Sequence, residues 1–255
     1  MNYFTIKNAA ERYSKGRPYF HSNTISNVKR QLQLDNKIEK ALDIACGTGL
    51  STKALLDIAV HVFGTDTSEE MLTWALSQDK INYSIAPAES QPFPDNEFNI
   101  ITVGSGVHWF NIDTFLMEAN RLLTNNGWLV LYDNFFISEM QGVESFSKWY
   151  PEVYLKKFPA PKRNHSYNWS NENLVTKNFI LDKEEEFKNP VCYTKDELIL
   201  YFTTQSNITA VIEIGEMTYI EVEHWLNNEL TQFFQTNQIR TINFGNWIKY
   251  IRKTN

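Results

Sequence analysis

Cysteine is scarce in this chain: 255 residues contain two, Cys46 and Cys192. Two distant cysteines exclude a disulfide framework and fit a reducing compartment, so a cytoplasmic location is expected. Long hydrophobic runs are missing too. Nothing approaches the ~18 consecutive apolar residues of a spanning helix, and the polar stretch Met1–Arg12 lacks the apolar centre of a signal peptide. Positive charge is not in excess, since 24 Lys and Arg against 30 Asp and Glu leave a net charge of −6. That balance argues against general affinity for phosphate backbones, and no basic stripe carries interleaved aromatics. Neither a nucleic-acid nor a membrane partner is expected. His61, His108, His165 and His224 are scattered without metal-ligand spacing, so no metal is expected either.

What is present is an ordinary globular balance, 42% hydrophobic and 21% charged, long enough for one large domain or a core with an inserted lid. Such a chain buries roughly 70–75% of its unfolded surface. One quantity is high. Aromatics reach 14%, with seven Trp, twelve Tyr and seventeen Phe, more than a core of this size needs.

Residues 1–40 read as helix plus loop. From Ala41 onward, short apolar runs alternate with amphipathic segments. Strands are expected at Ala41–Ala45, Val60–Gly64, Ile81–Ile85, Phe98–Val103 and Trp128–Tyr132, and helices at Leu50–Ala59, Glu69–Ser77 and Ile112–Leu123. The helix at Glu69 has an acidic first turn and a hydroxyl cap. The strand runs are continuous rather than alternating, which suits a sheet buried on both faces and built from parallel βαβ units. An open, doubly wound α/β sheet follows. After Asn134 the alternation stops. Residues 135–178 read as an inserted, largely helical lid. Beyond it, Phe179–Phe187 reads as a half-exposed strand, Asp196–Thr203 and Glu216–Phe234 as helices, and Arg240–Ile251 as a closing strand. The expected organisation is an N-terminal cover (1–40), a core (41–134 and 179–255) and the insertion (135–178).

The chemistry concentrates in Leu42–Thr52, LDIACGTGLST. A strand runs into a glycine-bearing turn that opens a helix, so backbone N–H groups and a ligand can approach closely. The dinucleotide pattern G-x-G-x-x-G is absent, and only Gly47-x-Gly49 is present. Asp43, on the strand just before, is a poor neighbour for pyrophosphate and suits a ligand with an ammonium group. Asp66, 23 positions later at the tip of the next strand, can accept hydrogen bonds from ribose hydroxyls. Together these features favour an adenosyl amino acid, S-adenosylmethionine, over NAD.

With these residues the chain resembles class I S-adenosylmethionine-dependent methyltransferases, of the type 11 methyltransferase-domain group. LDIACGTGLST resembles the first motif of that family, with Ala45 where a glycine is usual. GTDTSEEML (Gly64–Leu72) resembles the second, and APAESQPFPDNEFNIITVGSGVHWF (Ala86–Phe110) and EANRLLTNNGWLVLYD (Glu118–Asp133) the next two. The resemblance implies a Rossmann-like, mostly parallel seven-stranded sheet with helices on both faces. It implies that Asp43, Ala45, Cys46, Gly47, Gly49, Asp66, Thr67, Met71, Ala88, Glu89 and Ser105 border the cofactor. Met71 would pack near the adenine and Ala88-Glu89 beside it. Arg12–Phe20, RYSKGRPYF, resembles an N-terminal element of one branch, in which Tyr13, Arg17 and Tyr19 would close the cofactor pocket or touch the substrate.

His108-Trp109-Phe110 follows the fourth strand, where ligands sit in open α/β sheets. His108 is a candidate general base, its ordinary pKa of ~6.5 suiting proton removal. The favoured reading is that it lines the pocket, with Trp109 and Phe110 as pocket walls or core. In the insertion, Trp149, Tyr150 and Tyr154, with Phe158, Tyr167 and Trp169, are read as substrate-pocket residues or as a satellite core. Cys46 is read as a small buried side chain rather than a nucleophile. Lys156-Lys157 and Lys162-Arg163 are read as a solvated basic cluster, and Lys183–Lys188 as the charged face of an edge strand.

The expected function is methyl transfer to a small-molecule acceptor on oxygen, nitrogen or carbon, carboxylates included, by a monomer or homodimer. A non-catalytic cofactor-binding protein and a nucleotide-dependent oxidoreductase are the competing readings.

Overall fold

The computed structural model describes residues 7–75, 80–159, 167–236 and 238–254. Residues 76–77 of the expected helix Glu69–Ser77, Lys162-Arg163 and His165 lie outside these, as do residues 1–6 of the expected N-terminal cover. The chain opens with α1 (Lys7–Gly16) and α2 (His21–Gln31). The βα alternation follows as β1 (Ile38–Ile44), α3 (Leu50–Leu55), β2 (Ala59–Asp66), α4 (Glu69–Thr73), β3 (Ile81–Ile85), β4 (Phe98–Gly104), α5 (Ile112–Leu122) and β5 (Leu123–Met140). Next come α6 (Glu144–Trp149), a π turn over Tyr150–Tyr154, α7 (Leu155–Lys157), α8 (Asn171–Val175) and β6 (Phe179–Tyr193). The chain closes with α9 (Lys195–Thr203), α10 (Ser206–Glu213), α11 (Tyr219–Leu230) and β7 (Arg240–Lys253).

The strands form one seven-stranded sheet in the order β3-β2-β1-β4-β5-β7-β6. Pairings β1–β2, β1–β4, β2–β3 and β4–β5 are parallel. The doubly wound reading is therefore correct: the chain crosses from β3 at the edge to β4 beside β1, so the strand order reverses between β1 and β4, next to the glycine loop.

Contacts divide the chain into two compact units. The first gathers the described residues of Met1–Pro18, Phe135–Lys162 and Lys188–Gly245; the second holds Tyr19–Asn134, Arg163–Phe187 and Asn246–Asn255. These limits are not those expected at 40, 134 and 178, because β5, β6 and β7 each begin in one unit and end in the other.

In the second unit the sheet is covered on both faces. Leu42, Ile44, Ile101, Val103 and Leu131 point to one face, where α5 packs through Phe115, Leu116, Ala119 and Leu122. Ala41, Val62, Ile100 and Val130 point to the other, under Ile25 and Val28 of α2 and Ala54 and Leu55 of α3. Successive strand residues thus alternate between two apolar layers, which is why the strands read as unbroken apolar runs.

The first unit is helical and aromatic. Trp149, Tyr154, Phe202 and Phe233 are buried, with Trp149 and Phe233 5.7 Å apart and Tyr154 and Phe202 4.7 Å apart between ring centroids. Helix α1 lies close against α9: a Cβ on Gly16 would sit 2.7 Å from the Leu200 carbonyl oxygen. Capping boxes at Thr194/Glu197 and Thr218/Glu221 start α9 and α11. Thr218 also explains why α11 begins at Tyr219 rather than at the expected Glu216.

Other boundaries differ. Helix α3 ends at Leu55, earlier than expected, because the chain turns to start β2 at Ala59. Asn125-Asn126-Gly127 was expected to separate α5 from a strand at Trp128. Instead α5 stops at Leu122, and Asn126, at φ +60°, is absorbed into β5. Among the described residues no helix is long and apolar enough to cross a membrane.

Candidate active site

The glycine loop is built on left-handed backbone. Ala45, Gly47 and Gly49 have φ of +58°, +54° and +77°, and Gly49 caps α3. At Gly47 a Cβ would meet Met71 Cε at 3.0 Å as well as suffering the backbone strain, so glycine is favoured there. Ala45 holds the same left-handed conformation with a Cβ, at a cost of about 1–2 kcal/mol. Its Cβ points at Gly106, where a second Cβ would approach to 2.7 Å. The alanine in the first motif is thus accommodated by a glycine in the turn after β4.

Asp43 is fully buried. Its Oδ2 accepts from the Ser51 and Thr52 hydroxyls at 2.6 and 2.7 Å, and its Oδ1 from the Thr102 hydroxyl at 2.9 Å. Burial pushes its pKa up to about 6, against the pull of those three hydroxyls, and the nearby Asp66 charge adds to the rise. This corrects the expectation that Asp43 faces a ligand's ammonium group. No part of it is exposed, and its role is to clamp β1, β4 and the first turn of α3 around the loop. Ser51, Thr52 and Thr102 were not anticipated; the hydroxyl pair directly after Gly49 was the available signal.

Asp66 is placed as expected, at the end of β2. One carboxylate oxygen accepts from the Gly47 N–H at 2.8 Å and the other from the Ser68 N–H at 2.9 Å. Burial raises its pKa. Each oxygen keeps acceptor capacity for a hydroxyl donor. Thr67 beside it is exposed, while Ser68 caps α4 through the Met71 N–H. Met71 is buried against the glycine loop. Cys46 is buried, with its thiol pKa pushed up by desolvation and by the Asp43 and Asp66 charges, so it is no nucleophile.

Ala88 is buried. Glu89 Oε1 accepts from the Asn111 N–H at 2.7 Å, tying the turn after β3 to the start of α5. Arg121 pins the following loop through the Gln91 and Phe93 carbonyls, Asp95 and Glu118. Ser105, at φ +58°, donates to Asp133 at 2.5 Å; neither this bond nor Asp133 was anticipated. His108 and Trp109 sit in a single 3-10 turn (Val107–Trp109), with His108 half-buried and Trp109 exposed. Tyr19 is exposed, with Lys53 Nζ 5.3 Å from its ring centre.

The remaining candidates belong to the first unit. Arg17 lies over the rings of Tyr13 and Tyr201, at 4.6 and 5.4 Å, and donates weakly to the Thr204 carbonyl at 3.4 Å. Trp149 and Tyr154 are core residues: Trp149 Nε1 donates to Glu229 at 2.9 Å and the Tyr154 hydroxyl to Asn207 at 3.3 Å. The substrate-lining role expected of these two is replaced by packing, because both rings are enclosed on all sides. Tyr150 is half-buried and stacks on Tyr154 at 5.0 Å.

The chain is an open α/β domain whose first βα turn is left-handed and glycine-built, with an acidic residue closing the second strand. Residues 42–131 match the family model of the methyltransferase domain. A Dictyostelium discoideum protein named "Putative methyltransferase" is 26% identical over 215 residues, covering 81% of this chain and 78% of that protein. A demethylmenaquinone methyltransferase of Staphylococcus saprophyticus is 37% identical over 101 residues, 36% of this chain and 42% of that enzyme. Among solved structures, a "Putative Type II Methyltransferase" from Anaeromyxobacter dehalogenans superposes with a TM-score of 0.68 at 20% identity, covering 89% of this chain and 94% of that one. Residues 42–131 thus carry a methyltransferase domain, and the chain shares the α/β fold of solved methyltransferase structures.

Proposed function

We propose that this chain binds S-adenosylmethionine and transfers its methyl group to a small-molecule acceptor. The supporting observation is the Gly47–Asp66 pair: a left-handed glycine loop held by a carboxylate that retains acceptor capacity. The loop also contains the buried Thr48 Oγ1, which has no hydrogen-bond partner among the described residues. A buried hydroxyl without a partner marks a place where a polar ligand group completes the bonding. In the bound state, Asp66 would accept from the ribose hydroxyls, Met71 and Ala88 would flank the base, and the Gly47–Gly49 backbone would leave room for the amino-acid portion. The cofactor supplies an electrophilic sulfonium methyl, and the protein supplies orientation and exclusion of water. His108, beyond β4, would take a proton from a neutral hydroxyl or amine; a carboxylate acceptor would require no base.

Isothermal titration with S-adenosylhomocysteine tests the donor half. Saturable binding is expected, weakened roughly 10–100-fold in Asp66→Asn, which removes charged hydrogen-bond acceptance. No binding by the folded wild-type chain would overturn the reading. Binding without turnover across hydroxyl, amine and carboxylate acceptors would favour a non-catalytic cofactor-binding protein.

A further inference from the structure

The second unit holds a cavity of about 500 Å³ on the α5 face of the sheet. One wall is the segment from Val107 to Asp113, which begins β4's exit and opens α5. The opposite wall comes from β7 and β6, through Trp247, Lys249, Glu184 and Glu186. The first wall is joined to the cofactor loops. Gly106, the residue before it, packs on Ala45, and the Asn111 N–H within it is held by Glu89. Whatever fills this cavity therefore lies against the segment that touches the glycine loop.

Its chemistry is uneven. Phe110, Tyr167, Trp169 and Trp247 supply aromatic rings, the first three from the β4 exit and the segment before α8. Tyr167 and Trp169 meet edge-on at 4.7 Å. Four acidic residues border the same space, Asp113, Glu184, Glu185 and Glu186, against one ammonium, Lys249, although the Glu185 carboxylate turns to Tyr250 on the other face of the sheet. Most are engaged. Glu184 pairs with Lys249, Asp113 with Lys177 at 3.3 Å, and Glu185 accepts from the Tyr250 hydroxyl at 2.5 Å. Glu186 has no ion pair or hydrogen bond among the described residues. A resident ammonium shows the geometry such a group would find: Lys249 Nζ lies 5.7 Å from the Trp247 ring centre while paired with Glu184, though burial lowers its pKa. Aromatic faces and carboxylates together favour an organic cation, through ring quadrupole and Coulomb attraction.

We propose that this cavity is an acceptor subsite for a planar or aromatic small molecule carrying a protonated amine. Rings hold its body and Glu186, with Glu184, holds its charge. The proposal rests on the methyltransferase reading; the ammonium is the recognition handle, whichever atom is methylated.

The test is titration of the protein, saturated with S-adenosylhomocysteine, with three matched probes: 2-phenylethylammonium, 2-phenylethanol and phenylacetate. The ammonium is expected to bind at least about tenfold more tightly than the alcohol, a difference on the scale of a desolvated cation–π contact with a carboxylate. Phenylacetate should bind least. Glu186→Gln should reduce the preference, and Lys249→Met, which removes the resident ammonium, should increase it. Equal binding of the three probes, tightest binding of phenylacetate, or binding of none would overturn the proposal. S-adenosylhomocysteine affinity, measured first in each variant, reports separately on the donor site and on folding.

Discussion

The glycine loop of the second unit and the aromatic cluster of the first solve opposite physical problems. The loop is polar and strained: three left-handed residues, a buried carboxylate satisfied by three hydroxyls, and a second carboxylate bonded to backbone N–H groups. The cluster is apolar and saturated. Phe136, Trp149, Tyr154 and Phe202 each touch several other rings, and the polar ends of Trp149 and Tyr154 have partners inside the unit. Strain and buried charge are costs that persist where function needs them. Saturated ring packing is what stability needs. The difference teaches that an unusual residue count does not locate a site; about half of the aromatics stand in the first unit, and the buried ones there pack a helical core.

If that division is right, the largest effect should come from the cluster and should be one of stability. Phe202 is almost fully buried among Phe136, Trp149, Tyr150 and Tyr154. Phe202→Ala should cost about 3–5 kcal/mol by lost burial plus cavity formation. Chemical denaturation checks this. A loss below about 1 kcal/mol, as for a surface position, would mean that the rings are not a core and would reopen their reading as a substrate cover.

The fold was legible where two apolar layers impose continuous strand runs, from Ala41 to Tyr132. Asp66 was legible because it ends a strand at the expected interval. Strand lengths were not: β5, β6 and β7 run 18, 15 and 14 residues, and their distal ends carry polar residues such as Asn134, Ser138 and Glu139 that interrupt the apolar signal. Asp43 was misread in role because its three hydroxyl partners come from α3 and β4. Ser51 and Thr52 stand close by in sequence, but Thr102 is 59 residues away, and only the parallel pairing of β1 with β4 brings it close. The partnership of Ala45 with Gly106 has the same origin.

An intermediate effect is expected from the loop's buried charge. The folded Asp43 has a pKa of about 6 against an ordinary value of 3.8. The native state therefore takes up a proton before the unfolded chain does. Above pH 6 this residue opposes folding; as pH falls from 6 toward 4 that opposition is relieved. Between pH 7 and pH 5 the wild type should gain about 1 kcal/mol relative to Asp43→Asn, which titrates nothing there. Paired urea denaturations at the two pH values measure it. A wild-type gain equal to the variant's, or a relative loss, would show that the charge is not buried as described.

The smallest effect isolates the strain itself. Ala45→Gly relieves the left-handed Cβ penalty but gives the unfolded chain more freedom, so a net gain of a few tenths to about 1 kcal/mol is expected. Gly106 has φ −112°, a conformation any residue adopts, so only its contact with Ala45 forbids a side chain. Gly106→Ala should therefore destabilise the wild type by about 1–3 kcal/mol through overpacking. In the Ala45→Gly background the same substitution should cost much less, because the opposing Cβ is gone. The coupling energy from this double-mutant cycle should favour the double variant by about 1 kcal/mol. Additive single effects would place the two residues out of contact and leave the alanine in the first motif without its structural compensation.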